Sequence, residues 1–294
     1  MRSVVLAVSV MVVALVSAPA SANFLDGLQS YWDFDGGPAD YMDKQGSLHM
    51  AEKGGSDLAD IENKATGALI GRSVHATSAG HWLRSVSPMG TLNLTDEVTI
   101  SYWLKMDNNS GLGQRRHYSH RVSNDPDNSV GTFNNFSSYN RMDFNGTNFW
   151  YVFLNANDGG ASTNGGTSSS NIDFQVPVDT WTHRTLTISS DGTLKDNVAM
   201  VSETNYDQRN LTLNPWSNYQ GIDTAAFASQ FLTMAGSQND PGNWTDEFAI
   251  WNRALTPAEL QMVHDMGRNG VKLPEPATLG LLTLGLLAVG RRRR

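Results

Sequence analysis

Asp246 and Glu247 stand side by side at the head of the run "DEFAIWNR". Two carboxylates about 5 to 5.5 Å apart can cleave a glycosidic bond, one as acid and the other as nucleophile. On a β-strand that demands a spacing of i and i+2 or i+4, because successive side chains point to opposite faces. Asp246 and Glu247 are therefore expected to face opposite ways; Glu97 and Glu203 stand alone, so the spacing supplies no catalytic pair. His117 and His120, in "HYSH", offer two imidazoles without a third ligand in a readable pattern, which favours a solvated loop over a zinc site. His183, two residues after Trp181, reads as a strand histidine of the fold and not as a base. Nucleophile elbow, phosphate-binding loop and dinucleotide fingerprint are all missing, and no catalytic residue is assigned. Sugar recognition is the other chemistry open to such a chain, since it stacks apolar ring faces on aromatics and uses amides and carboxylates for hydroxyls. Tyr118, Phe133, Phe136, Tyr139, Trp216 and Tyr219 lie in polar, Asn-rich stretches and are either such platforms or anchors packed into a loop rim.

The elements that must position these residues are short. "LQSYWDFD" (28–35), "VTISYWLKM" (98–106), "FWYVFLNA" (149–156), "HRTLTIS" (183–189), "NVAMVSE" (197–203) and "DEFAIWNR" (246–253) are β-branched and aromatic runs separated by Gly, Asn, Asp and Ser. That is the pattern of an all-β domain. In the third run bulky groups occupy both alternating positions, as in a strand covered on both sides. The stretches 115–140 and 157–171 are long, polar and read as loops. One helix is signalled: Thr256 at N-cap, Pro257 at N1 and Glu259 at N3 form a capping box, Gly267 is its stop, and Leu260, Val263 and Met266 share the face that should lie on the sheet.

Both ends carry addresses. Residues 1–22 have a short basic start, the apolar run Val4–Val16 and a small-x-small site at Ala20-Ser21-Ala22, which makes them a secretory signal peptide cleaved between Ala22 and Asn23. At the other end, Pro274-Glu275-Pro276 precedes fourteen largely apolar residues, Ala277–Gly290, and four arginines, Arg291–Arg294. A helix of that length spans roughly 21 Å against a hydrocarbon core of roughly 30 Å, so it is a marginal transmembrane anchor with its arginines held on the cytoplasmic side. Residues 273–294 resemble the PEP-CTERM sorting signal of exported bacterial proteins. The resemblance implies recognition by an exosortase in the inner membrane, cleavage near Pro274-Glu275-Pro276, and delivery to the cell surface or extracellular matrix, often beside exopolysaccharide.

Between the two addresses, residues 23–272 are long enough for one all-β domain, and no internal repeat divides them. Loss of Arg2 and the four terminal arginines takes the formal charge from −8 to −13, or to −12 if Glu275 leaves too. Such an acidic chain is no nucleic-acid binder, which needs a basic face. With no cysteine, disulfides and thiolate metal sites are excluded.

"LQSYWDFDGG", "DKQG" (43–46), "LNLTDEVTISYWLKM", "DTWTHRTLTIS" and "DEFAIWNRALTPAELQMVHDMG" occur in the order of the concanavalin A-like, laminin-G-type domain, and they bracket 28–267. The resemblance implies a two-sheet antiparallel β-sandwich, or jelly roll, with one short C-terminal helix. It also implies a structural Ca²⁺ where the first and last strands meet, for which Asp246, Asp35 and Asp43 are the candidate ligands; the alternative is that they are turn and strand-end aspartates. "NVAMVSETN" and "PGNWTDEF" depart from the family pattern, which leaves any binding surface at those hairpins unspecified. The expected function is an exported surface or matrix-associated binding module for a glycan or exopolysaccharide. A structural or adhesive protein that contacts a surface protein is the alternative, with a glycoside hydrolase a distant third.

Overall fold

A computed structural model describes residues 24–37, 39–53, 61–77, 82–94, 96–107, 114–121, 133–142, 148–154, 172–173, 177–213, 231–234 and 242–274; for the strands within 114–173 the description is of the backbone alone. The chain forms two antiparallel sheets. The strands are β1 (Leu28–Trp32), β2 (Met50–Lys53), β3 (Ile61–Lys64), β4 (Ser73–Ala76), β5 (Trp82–Ser85), β6 (Val98–Met106), β7 (Gln114–Arg121), β8 (Phe133–Met142), β9 (Asn148–Leu154), β10 (Ile172–Asp173), β11 (Thr182–Ile188), β12 (Leu194–Met200), β13 (Arg209–Leu213), β14 (Phe231–Met234) and β15 (Asn243–Trp251). The first sheet runs β13-β12-β11-β6-β15-β4-β3, and the second β10-β9-β8-β7-β14-β5-β2.

β15 is the pivot of the first sheet. One edge pairs with β6 along its length; the other is shared end to end, with β4 on Asn243–Thr245 and β1 on Phe248–Trp251. First and last strands are therefore neighbours, as the sandwich reading requires.

Alternation decides which layer each residue enters. On β6, Val98, Ile100, Tyr102, Leu104 and Met106 join the core between the sheets, with Trp32, Phe34, Phe248 and Ile250 from the first sheet and Met50, Leu83, Leu232 and Met234 from the second. The remaining β6 residues, Thr99, Ser101, Trp103 and Lys105, are also buried, so this strand is covered on both faces. Arg184 and Asp196 form a two-pronged pair (Nε to Oδ1 2.9 Å, Nη2 to Oδ2 2.5 Å) on the inward positions of β11 and β12.

The outer face of the first sheet is covered by helix α1 (Pro257–Arg268), which packs Leu260 and Val263 onto Leu28, Tyr31, Ala249 and Trp251. Its capping box forms as the sequence signals, and Arg253 grips Glu259 at 2.6 and 2.9 Å. That pairing holds the Glu259 carboxyl down at about 2. The helix does not stop at Gly267 but runs to Arg268 with Asn269 as its cap. Gly267 serves close packing instead: a Cβ there would lie 2.3 Å from Trp103 Nε1.

One further expectation is revised. Within 115–140, residues 115–121 belong to β7 and residues 133–140 to β8, strands that pair antiparallel, while 122–132 lie outside the described residues. Their Ser- and Asn-rich sequence reads as loop, yet the two strands pair from Gln114 with Arg141 to Arg121 with Phe133. The stretch 157–171 and residues 1–22, expected to be a signal peptide, lie outside the described residues.

Candidate functional site

Each of the three aspartates expected as cation ligands is engaged by protein donors. Asp43 is the acceptor of a tight turn: Oδ1 takes the N–H of Tyr31 (3.0 Å), Gln45 (3.0 Å) and Gly46 (2.9 Å), while Oδ2 takes Ser30 Oγ (2.8 Å) and Leu48 N–H (3.0 Å). Gly46 is required there, because a Cβ would meet Gln29 O at 2.6 Å. Asp35 accepts from Arg72 N–H and is paired with Lys272 Nζ, which also reaches Asp33 Oδ2 at 3.2 Å. Asp246 accepts from Ile70 N–H (3.1 Å) and Ser73 Oγ (2.7 Å). Calcium needs six to eight oxygens converging at 2.3–2.6 Å. Here the oxygens are given to N–H and O–H donors and to a lysine, and among the described residues no three His, Asp or Glu side chains gather as metal ligands. This donor set is not an oxygen cage, and no step is assigned through a cation.

Asp246 and Glu247 do not face opposite ways. The register of β15 on β6 slips between Asp246 and Ala249, and Glu247 has φ 49°, so a β-bulge interrupts the alternation. Asp246 meets Ser73, and Glu247 Oε2 accepts from Tyr31 OH at 2.5 Å, which puts both on the outer face. Both carboxylates are buried. Burial pushes Glu247 up to about 8, and burial reinforced by Glu247 raises Asp246 well above the usual carboxylate range. Burial and the same carboxylate raise the Tyr31 phenol.

Further along this face lies a chain of imidazoles with no catalytic assignment from sequence. Ser101 Oγ and His183 Nε2 are 2.8 Å apart, His183 Nδ1 and His264 Nδ1 3.1 Å, and His264 Nε2 is 2.9 Å from the carbonyl of Glu203. Trp103 stacks on both rings, at 4.8 Å and 5.4 Å between centroids. Burial lowers both histidines, His183 strongly.

At the end of the sheet where β4, β15 and β6 meet, His75 stacks on Trp244 (4.1 Å, 13°) and Lys105 Nζ lies 4.1 Å over the same indole and 5.4 Å from Trp181. Lys105 and Trp181 Nε1 both donate to Gly67 O, at 2.8 and 3.2 Å. Asp107 ties the corner together, accepting from Trp244 Nε1 and meeting His75 Nε2 at 2.6 Å while leaving 34% of its side chain exposed. Aromatic bodies, a cation and an accessible carboxylate thus share one corner. The sequence signal was weak: Trp181 and Trp244 were visible as motif residues, but Lys105, His75 and Asp107 join them only through strand pairing.

Of the aromatic candidates, Tyr118, Phe133, Phe136 and Tyr139 lie on β7 and β8 and not in loops; Trp216 and Tyr219 fall outside the described residues. His117 and His120 also lie on β7. Ala22 and Asn23 precede the described chain; it closes on Pro274, with Glu275 and Pro276 beyond.

Residues 273–294 match the PEP-CTERM protein-sorting motif. No curated protein sequence matches the chain. Among solved structures it is similar to domain 4 of a GH43 extracellular arabinanase from Geobacillus stearothermophilus, in complex with arabinotriose (17% identity, TM-score 0.52, 81% of this chain and 98% of that one). It is also similar to a mutant of Trypanosoma rangeli sialidase displaying trans-sialidase activity (10% identity, TM-score 0.54, 85% of this chain) and to botulinum neurotoxin type C, whose cell entry depends on two ganglioside molecules (14% identity, TM-score 0.53, 84% of this chain). The match spans 34% of the sialidase chain and 53% of the neurotoxin chain. At these identities the likeness is one of fold. Tail and fold together define an exported protein, sorted through an exosortase at the membrane, whose body is a two-sheet β-sandwich. Among the described residues no helix is long and apolar enough to cross a membrane.

Proposed function

We propose that this protein is a non-catalytic glycan-binding module displayed at the cell surface or in the extracellular matrix. The observation that carries the reading is the match over 98% of an arabinanase domain solved with arabinotriose, since a sandwich of this extent holds an oligosaccharide there. Asp107, with 34% of its side chain exposed, is the accessible acceptor for sugar hydroxyls at the corner that the buried Trp244, His75 and Lys105 hold in place. Hydrolysis is not part of the proposal: Asp246 and Glu247 share a face but are sealed from solvent, where neither could meet a sugar bond.

Contact with a surface protein is the second reading. It is favoured by an apolar groove of about 400 Å³ along the outside of α1, lined by Met262, Met266 and Val271. A glycan array probed with the chain lacking signal and sorting tail distinguishes the two. Retention of an oligosaccharide, weakened at least tenfold by Asp107→Ala, is the expected result. Loss of all glycan retention with capture of a surface protein through α1 would overturn it.

A further inference from the structure

We propose that Ser101, His183 and His264 form a proton-operated latch that holds α1, and with it the chain exit at Val271–Leu273, on the first sheet. The hydrogen-bonding role of the Glu203 carbonyl fixes those of the two rings. The Glu203 carbonyl can only accept, so His264 Nε2 must carry a hydrogen. A neutral His264 then has a lone pair on Nδ1. His183 Nδ1, 3.1 Å away, must donate to it, which leaves His183 Nε2 as the acceptor of the Ser101 hydroxyl at 2.8 Å. One direction of donation satisfies every polar atom of two fully buried rings.

An added proton has nowhere favourable to sit. One proton can be shared between the two Nδ1 atoms if Ser101 turns to accept, but the cation so formed has no carboxylate aimed at it. A second proton sets two N–H groups against each other across 3.1 Å. The charged groups on the surrounding elements are already engaged. Glu203 pairs with Arg209 at 2.7 and 2.9 Å, Asp265 with Arg268 at 3.3 Å, and Glu259 with Arg253, while Lys105 on β6 is turned to Gly67. β11 contributes Thr185 and Thr187 to this face, and the neighbouring ring is Trp103. The pair is therefore neutral while α1 is docked, and each ring regains its ordinary basicity, near 6.5, when α1 lifts.

The direction follows from that difference. Both histidines are lowered in the closed state, so the latch is fully effective above about pH 6.5 and weakens as the pH falls. Two protons taken up on opening change the closed-to-open ratio by up to about 100-fold per pH unit. α1 is the last element before the exit, where Leu273 is buried beside Leu260 and Val263. Its release would free the segment that leads into Pro274-Glu275-Pro276.

The test uses the full chain labelled with ¹⁵N-histidine. At pH 7.5 the spectra should show His264 with hydrogen on Nε2 and His183 with hydrogen on Nδ1. Between pH 7.5 and 5, hydrogen exchange corrected for its intrinsic rate should show α1 losing protection before β6 and β15. His264→Asn keeps an acceptor for His183 and removes one titrating ring, so the slope should fall from about 100-fold to about tenfold per pH unit. If the asparagine variant fails to dock, the wild-type tautomers and titration still decide. The opposite tautomers, a charged ring at pH 7.5, or acid loosening of α1 that is unchanged in the variant would each overturn the latch.

Discussion

Two buried titratable clusters share the outer face of the first sheet and meet the loss of water in opposite ways. At the bulge, burial raises Asp246 and Glu247 and so favours keeping their protons; under α1, burial lowers His183 and His264 and so favours giving them up. The cause is one, since a charge removed from water must be paired or abolished. The consequences for stability have opposite signs. A raised carboxyl contributes stability that is complete below its ordinary value of 4.5 and is lost as the pH rises through about 8 for Glu247. The lowered imidazoles contribute stability that is complete above their ordinary value and is lost as the pH falls below it. The lesson is that the docking of α1 and the integrity of β15 respond to acid in opposite directions within a single layer.

The largest effect should come from breaking the imidazole side by volume. Gly267→Val forces a side chain into the Trp103 indole one turn after His264, and about 3 kcal/mol of destabilisation is expected in chemical unfolding. A third carboxylate provides the control that separates burial from hydrogen bonding. Asp43→Ala leaves five donors without their acceptor, and the loss should be about 2 kcal/mol, equal in EDTA and in millimolar calcium; a calcium-dependent difference would restore the cation reading. Glu247→Gln sharpens the carboxylate side. The wild type should lose up to about 1.4 kcal/mol per pH unit between pH 5 and 8 that the variant keeps, so the variant should gain relative to wild type as pH rises. Thr256→Ala is the smallest expected change, about 1 kcal/mol from the lost cap, and it should be independent of pH between 5 and 8 because Glu259 is ionised throughout.

How much of this was legible beforehand depended on whether the signal was local. The capping box of α1 is written in four consecutive positions, and β6 in a β-branched and aromatic run, so both were placed from sequence. The pairing of the first strand with the last came from the resemblance of the flanking motifs. The bulge was not legible. Period-two reasoning sends neighbours to opposite faces, and nothing in "DEFAIW" announces the left-handed Glu247 that breaks the count. Nor could spacing join His183 to His264, which are 81 residues apart, or place Lys272 between Asp33 and Asp35. Each depends on strand order, which local patterns do not encode. The β7–β8 hairpin was read as loop because its polar composition resembles a loop more than a covered strand.

The cluster beneath α1 takes in both ends of the described chain: Phe24 and Leu25 pack there, Phe24 O accepts from Trp251 Nε1 at 2.7 Å, and Leu273 closes the same cluster. Entrance and exit therefore open at one corner. A body so arranged is topologically a plug: its two leads could be spliced into a surface turn of a host protein, or joined to each other and reopened elsewhere, without drawing either lead across the fold. Modular reuse of this sandwich, with cargo at one corner and the sheets left intact, is written into where its ends meet.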